Sequence, residues 1–417
     1  MRVLTTGNPP CGEIELPGSK SESNRLLMIQ AYSGNAISIE GVSEADDTIL
    51  LNHLLNAIRT GNRQESPVVI DCNNAGTVLR FLLTFLSLQK GKWMLTGRER
   101  MKKRPVGDLV QTLRTLGADI QYTEQQGYPP LVIKGKELIG GEAMLNASVS
   151  SQFASSLLLA APCLERGIKL SLNNEISSQP YIGLTIDLMR LCGAEVRQEG
   201  TGFIVDPEPY KSCNQIVSRD WSSAAFWYQM IAIARKGALL LNGLDSNSMQ
   251  GDRVLMEMFR PLGVSSVQES GGIRIQASGK AVRQADFDFT HHPDLFPAVA
   301  STCAALGVDA VFCGTRSLRI KESDRISAMA AELSKTGSFL TESDPNSCRL
   351  IGDTSFKVNS PIHFESWDDH RIAMALAPLA LQAGEITISH PEVVSKSYPG
   401  FWKQLEATGS LKCETID

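Results

Sequence analysis

Leu113-Arg114-Thr115-Leu116-Gly117-Ala118-Asp119-Ile120 and Leu188-Met189-Arg190-Leu191-Cys192-Gly193-Ala194-Glu195-Val196 are two copies of one phrase. Each reads as the last turn of an amphipathic helix, a glycine suited to the left-handed position past a helix end, and the start of a strand. The same ending recurs at Gly61, Gly263, Gly337 and Gly409, so that the six glycines follow at intervals of 56, 76, 70, 74 and 72 residues. A second series of more uniformly apolar segments ends at Gly34, Gly91, Gly167, Gly237, Gly307 and Gly384, on nearly the same beat. Helices that are apolar on every side are expected to be buried.

Short strands are expected after the buried helices, at 36–40, 92–96, 168–172, 238–241, 310–312 and 385–389. Others follow the amphipathic helices, including 131–134, 203–206 and 273–276. The repeated unit reads strand, buried helix, strand, amphipathic helix, strand, strand, six times over, which makes the class α/β. Six units of about 70 residues exceed one core, and three plus three in two domains is the economical division, with a solenoid as the alternative.

Composition narrows the function classes. With 417 residues, 42% hydrophobic and 20% charged, the chain reads as soluble and globular. A net charge of −5 argues against nucleic acid or an acidic membrane as partner, so any anion site must be local. Nine cysteines without a CxxC pair point to free thiols in a reducing compartment. Of the six histidines only His291 and His292 adjoin, and no metal is expected. No apolar run near residue 1 reads as a secretory leader and none reaches about 18 residues, so a cytoplasmic protein is expected.

The polar groups gather where the buried helices open. Pro17-Gly18-Ser19-Lys20-Ser21-Glu22-Ser23-Asn24-Arg25 runs from a strand at 13–16 into a helix expected from about Ser23. The other openings are Asn73 to Thr77, Ser150-Ser151-Gln152, Asp220-Trp221-Ser222-Ser223, His292-Pro293-Asp294 and Asp368-Asp369-His370-Arg371. Capping explains a Ser, Thr, Asn or Asp at each, but not Lys20, Gln152 or Arg371. The amphipathic helices add a second ring. Arg98, Arg100, Lys102, Lys103 and Arg104 precede Pro105, a good first helical residue; Ser178 and Tyr181 precede the third helix, Lys321-Glu322-Ser323-Asp324-Arg325 the fifth, and Lys396-Ser397-Tyr398-Pro399 the sixth.

A cation at a helix start opposes the helix dipole, so this placement costs stability unless an anion offsets it. A small polyanionic substrate held between two domains would do so, with arginine suited to forked contacts and lysine to point contacts. Asp294, Lys321 and Glu322 stand among the cations as acid and base candidates.

The motifs Pro-Gly-Ser-Lys-Ser-Glu-Ser-Asn-Arg at 17–25, Asn-Ala-Gly-Thr at 74–77, Arg-Pro at 104–105, Ser-Ser-Gln-Phe at 150–153 and Pro-Tyr-Ile at 180–182 resemble the EPSP synthase (3-phosphoshikimate 1-carboxyvinyltransferase) family. So do Pro-Asp at 293–294, Lys-Glu-Ser-Asp-Arg at 321–325, Asp-His-Arg-Ile-Ala-Met at 369–374 and Lys-Ser-Tyr-Pro at 396–399. Nine pieces in register span the chain. The resemblance implies a two-domain inverse α/β barrel with three βαβαββ units per domain. One domain would comprise 1–18 with 219–417 and the other 19–218, with the active site in the cleft between them, assembled by closure.

It also implies transfer of the enolpyruvyl group of phosphoenolpyruvate to the 5-hydroxyl of shikimate 3-phosphate, releasing phosphate, without cofactor or metal; a monomer is expected. By motif, Lys20, Ser21, Arg25, Ser150, Ser151, Gln152, Ser178, Tyr181, Asp294, Ser317 and Lys321 would contact shikimate 3-phosphate. Lys20, Asn74, Gly76, Arg104, Gln152, Arg325, Arg371 and Lys396 would contact phosphoenolpyruvate. Asp294 would take the hydroxyl proton, Lys321 with Glu322 would deliver or relay one to the methylene carbon, and Lys20 would reach both substrates.

Three positions depart from the family pattern: Asn73 stands where glycine is frequent, Phe81 where some members have proline, and Ser317 where many have asparagine. The nearest rival is the sister enzyme acting on UDP-N-acetylglucosamine, which would show a Lys-Asn motif near Lys20 and a cysteine in the loop of Arg98 to Arg104; no cysteine lies there. A phosphate-loop kinase lacks its Gly-Lys-Ser/Thr order here. A non-catalytic anion-binding repeat protein would keep the cations without needing Asp294, Lys321 and Glu322.

Overall fold

The structure is a computed structural model that describes residues 1–60, 66–146, 150–173, 178–352 and 361–416. Two compact units result: Lys20–Val217, and Met1–Ser19 together with Ser218–Asp417. Gly61, expected to end the first amphipathic helix, lies outside the described residues.

In the unit Lys20–Val217, the helices Lys20–Tyr32, Gly76–Leu88 and Ser151–Ala160 pack against one another. Their apolar residues form its core, from Leu26 and Ile29 through Leu82 and Phe85 to Phe153 and Leu158. Outer helices Asp46–Thr60, Gly107–Thr115 and Gln179–Leu191 bury one face only, as their spacing of apolar positions predicts. Two complete sheets follow the expected unit. Val68–Asp71 runs parallel to Gly91–Thr96, whose other edge takes Leu131–Gly135 and then Asp119–Tyr122, antiparallel. Gly141–Asn146, Ile168–Asn173, Gly202–Val205 and Val196–Glu199 repeat that order.

The other unit repeats the plan with Trp221–Ala234, Phe296–Leu306 and His370–Leu376 as mutually packed inner helices. Its sheets show where the linear reading of six equal units fails. Cys11–Glu15 precedes the first buried helix in sequence, yet pairs parallel with Ala238–Asn242 of the fourth repeat. Asn214–Ile216 precedes the fourth buried helix, yet pairs parallel with Ser38–Glu40 of the first. The leading strands of repeats one and four are exchanged. Arg2–Thr5 completes the sheet of the sixth repeat between Glu385–Ile388 and Leu411–Glu414. Among the described residues there are five four-stranded sheets and one two-stranded sheet, so the first repeat has a reduced sheet.

The glycine beat has a steric cause. Every glycine of the second series has positive φ. At Gly167, a Cβ would lie 2.1 Å from the Val205 carbonyl oxygen, and at Gly237, 2.2 Å from that of Pro10. Any larger residue there would push the neighbouring strand away.

Some boundaries differ from expectation. The first helix begins at Lys20, not Ser23, because Ser21 and Glu22 join its first turn. The helix expected at Pro105 begins at Gly107, and Glu99–Lys102 forms a short helix of its own. All nine cysteines are free, and no described helix is long and apolar enough to cross a membrane.

Candidate active site

In the unit containing residues 218–417, three helix openings bring charge together. Pro293 starts a single turn that carries Asp294, Asp324 caps the helix Arg325–Ser334, and Asp369 caps His370–Leu376 by accepting the Arg371 N–H at 3.0 Å. Arg325 thereby stands as the first residue of its helix, 1% exposed, with carboxylates on every side. Its Nη1 donates to Asp294 Oδ1 at 2.9 Å, its Nη2 to Glu322 Oε2 at 3.0 Å, and its Nε to Asp369 Oδ2 at 2.9 Å. Arg371 Nη2 donates to Asp294 Oδ2 at 2.9 Å, Lys321 Nζ lies 3.9 Å from Asp294 Oδ1, and Lys396 Nζ lies 3.7 Å from Glu322 Oε1.

Four cations thus face Asp294, Glu322 and Asp369. Cations at helix openings require an offsetting anion, and in this unit the chain's own carboxylates supply it. Burial alone would raise the Asp294 pKa, but Arg371, Lys321 and Arg325 outweigh it and hold the carboxyl well below the usual range. Burial would lower Arg325, but Asp369, Glu322 and Asp294 hold it above the ordinary guanidinium value. Asp294 is therefore ionised at neutral pH and can accept a proton. Ser317 lies half-buried on the turn Arg316–Ile320, which leads into Lys321.

In the unit Lys20–Val217 the openings are quieter. Lys20 opens its helix and pairs with Asp47 Oδ2 at 3.2 Å, both largely buried. Gly76 opens the second helix without a side-chain cap, next to Asn74, and the Arg104 guanidinium lies against it. A Cβ on Gly76 would sit 2.5 Å from Arg104 Nη1, so only glycine permits this approach. Ser150 caps the third helix by accepting the Gln152 N–H at 3.3 Å, with Ser151 buried beside it. The Gln152 amide is oriented by two neighbours: Oε1 accepts from Arg80 and Nε2 donates to Thr77 Oγ1 at 2.9 Å.

Arg25 is enclosed by groups of the chain itself. Its guanidinium is buried, with Nε donating to Thr185 Oγ1 at 2.7 Å, Nη1 to the Ser21 carbonyl at 2.9 Å, and Nη2 to the Tyr181 carbonyl at 3.1 Å. Rings of Phe81 and Tyr181 flank it at 5.7 and 5.9 Å. Burial pushes its pKa down to about 10 despite Tyr181 and Glu22. Ser178, buried and left-handed at φ 59°, leads into that same helix. Arg25 thus ties the helix of Tyr181 to its own.

Sequence reasoning passed over Asp47, Arg80 and the role of Asp369. Asp47 lies in the first turn of an amphipathic helix, a position that the helix-opening rule covers. Arg80 carried no such signal, because its partner Gln152 is 72 residues away.

The fold is shared with enolpyruvyl transferases. The enolpyruvyl transferase NikO from Streptomyces tendae has the same fold at 14% identity, with a TM-score of 0.74 over 100% of this chain and 99% of that one. An EPSP synthase from Acinetobacter baumannii matches with a TM-score of 0.77 at 25% identity over 99% of both chains. A family model described as EPSP synthase (3-phosphoshikimate 1-carboxyvinyltransferase) matches residues 4–405. A 3-phosphoshikimate 1-carboxyvinyltransferase of Bacteroides fragilis strain YCH46 is 42% identical over 397 residues, 95% of each chain. One from Colwellia psychrerythraea is 33% identical over 418 residues, 94% of this chain and 96% of that one. The chain belongs to the EPSP synthase family.

Proposed function

We propose that the chain transfers the enolpyruvyl group of phosphoenolpyruvate to the 5-hydroxyl of shikimate 3-phosphate, with release of phosphate, in the biosynthesis of aromatic amino acids. The observation that carries this reading is Asp294, an ionised carboxylate set between Arg325, Arg371 and Lys321. A base beside several cations suits an alcohol attacking a polyanion.

In this reading Asp294 accepts the proton of the 5-hydroxyl as its oxygen attacks C2 of phosphoenolpyruvate. Lys321 with Glu322 supplies the proton that C3 gains; as the adduct collapses a C3 proton returns to that pair, the C2–O bond to phosphate breaks to restore the methylene, and the proton held by Asp294 leaves with the phosphate. Arg325, Arg371 and Lys396, with Arg104, Asn74, Gly76, Gln152 and Lys20, hold the donor's carboxylate and phosphate. Ser21, Arg25, Ser150, Ser151, Gln152, Ser178, Tyr181, Ser317 and Lys321 hold the acceptor. Much of the rate would come from positioning and fixed charge. A monomer acting in the cytoplasm is part of the same proposal.

The UDP-N-acetylglucosamine reaction is not favoured: the family match and the cysteine-free loop of Arg98 to Arg104 both point away from it. Phosphate release from phosphoenolpyruvate, assayed with each acceptor in turn, tests the assignment. Turnover with shikimate 3-phosphate alone is expected, and its absence would refute the reading.

A further inference from the structure

Arg371 reaches Asp294 from the first turn of a helix whose entry is unusual. The chain leaves the strand Ile362–Phe364 and passes through Glu365 and Ser366. Trp367 and Asp368, at φ 55° and 52°, then place two successive non-glycine residues in the left-handed region, and Asp369 caps the helix. Left-handed backbone at such residues persists only where surrounding contacts impose it.

Ser389 Oγ accepts the Ser366 N–H at 3.1 Å and donates to Glu365, Ser323 Oγ donates to Asp369 Oδ2 at 3.1 Å, and the helix Arg325–Ser334 holds the turn at both ends. Arg325 and Glu332 are seven residues apart, two turns, and so share a face. At one end Arg325 grips Asp369 Oδ2 at 2.9 Å. Toward the other, Glu332, 1% exposed, accepts the Trp367 indole N–H at 2.9 Å on Oε1 and the Glu365 backbone N–H at 3.0 Å on Oε2. Lys335 Nζ, 2.7 Å from Glu332 Oε2, balances its charge. The strained turn is thus clamped before and after by the helix that also presents Arg325.

We propose that Glu332 and Trp367 are positioning residues: their hydrogen bond holds the Trp367–Asp368 turn and so aims Asp369 and Arg371 at the donor. The inference rests on the functional reading above. Neither residue touches the reacting groups, and both act through Asp369 and Arg371.

The test compares steady-state kinetics of the unaltered chain with those of Trp367→Phe and Glu332→Gln, alongside equilibrium binding of shikimate 3-phosphate. Trp367→Phe removes the indole N–H together with part of the ring from a side chain 45% exposed, so it reports even if the buried Glu332 variant fails to fold. The expected result is a KM for phosphoenolpyruvate raised roughly fivefold or more, with shikimate 3-phosphate affinity within about twofold of the original. An unchanged KM for phosphoenolpyruvate in Trp367→Phe, or an equal loss for both substrates, would overturn the inference while leaving the functional reading intact. Absence of turnover by the unaltered chain would overturn that reading and the inference with it.

Discussion

Asp294 Oδ2 accepts a hydrogen bond from Arg371 Nη2 at 2.9 Å while its Oδ1 accepts one from Arg325. Both oxygens of the candidate base are held by the guanidiniums assigned to the donor. These contacts, with Lys321 nearby, keep the carboxyl ionised and also make it a weak base, so anionic substrate groups that draw these cations away would strengthen it.

Asp294→Asn keeps the shape and one acceptor oxygen, replaces the other with a donating amide, and removes the charge. Turnover is expected to fall by roughly 10²- to 10⁴-fold, with shikimate 3-phosphate binding largely retained. Equal loss of both, read by turnover and calorimetry, would mark Asp294 as a structural residue instead.

Acid should act on the same residue. Its folded pKa is depressed, so its contribution to stability is complete above the ordinary carboxylate pKa of about 4 and is lost as pH falls below that toward the folded value. Denaturant unfolding between about pH 5 and pH 2.5 should therefore show a shallower pH dependence in Asp294→Asn than in the unaltered chain.

Arg325 touches three carboxylates, of which Asp369 is fully buried. Arg325→Met leaves that charge without its main partner and is expected to cost about 3–5 kcal/mol. A loss under about 1 kcal/mol in urea unfolding would mean that the remaining cations take over its role.

Gly76→Ala tests the close approach of Arg104. The added Cβ meets the tip of a flexible side chain, so the helix should tolerate it while the guanidinium moves aside. Stability within about 1 kcal/mol and a KM for phosphoenolpyruvate raised about tenfold are expected.

Asn73 shows how far the sequence carries. It stands where glycine is frequent in the family pattern, and the structure puts it at φ 49°, a left-handed position that asparagine tolerates better than most residues. The departure is conservative in backbone terms, a fact hidden until φ is known. Phe81, the second departure, lies in the helix Gly76–Leu88 and packs over Arg25.

Repeat beat, buried helices and polar openings were legible in the sequence because they are local: periodicity of apolar residues and glycine at helix ends depend on a few neighbours along the chain. Tertiary structure alone decided the partners. The exchange of Cys11–Glu15 for Asn214–Ile216 depends on pairing across more than 170 residues, which spacing does not encode. The inward turn of Arg25 depends on Thr185 and Tyr181, and the grip of Arg325 on Asp294, Glu322 and Asp369 on three separate helix openings. Sequence alone placed the charged groups at the openings; only packing determined which anion each cation meets, because electrostatic energy depends on distances set by the fold.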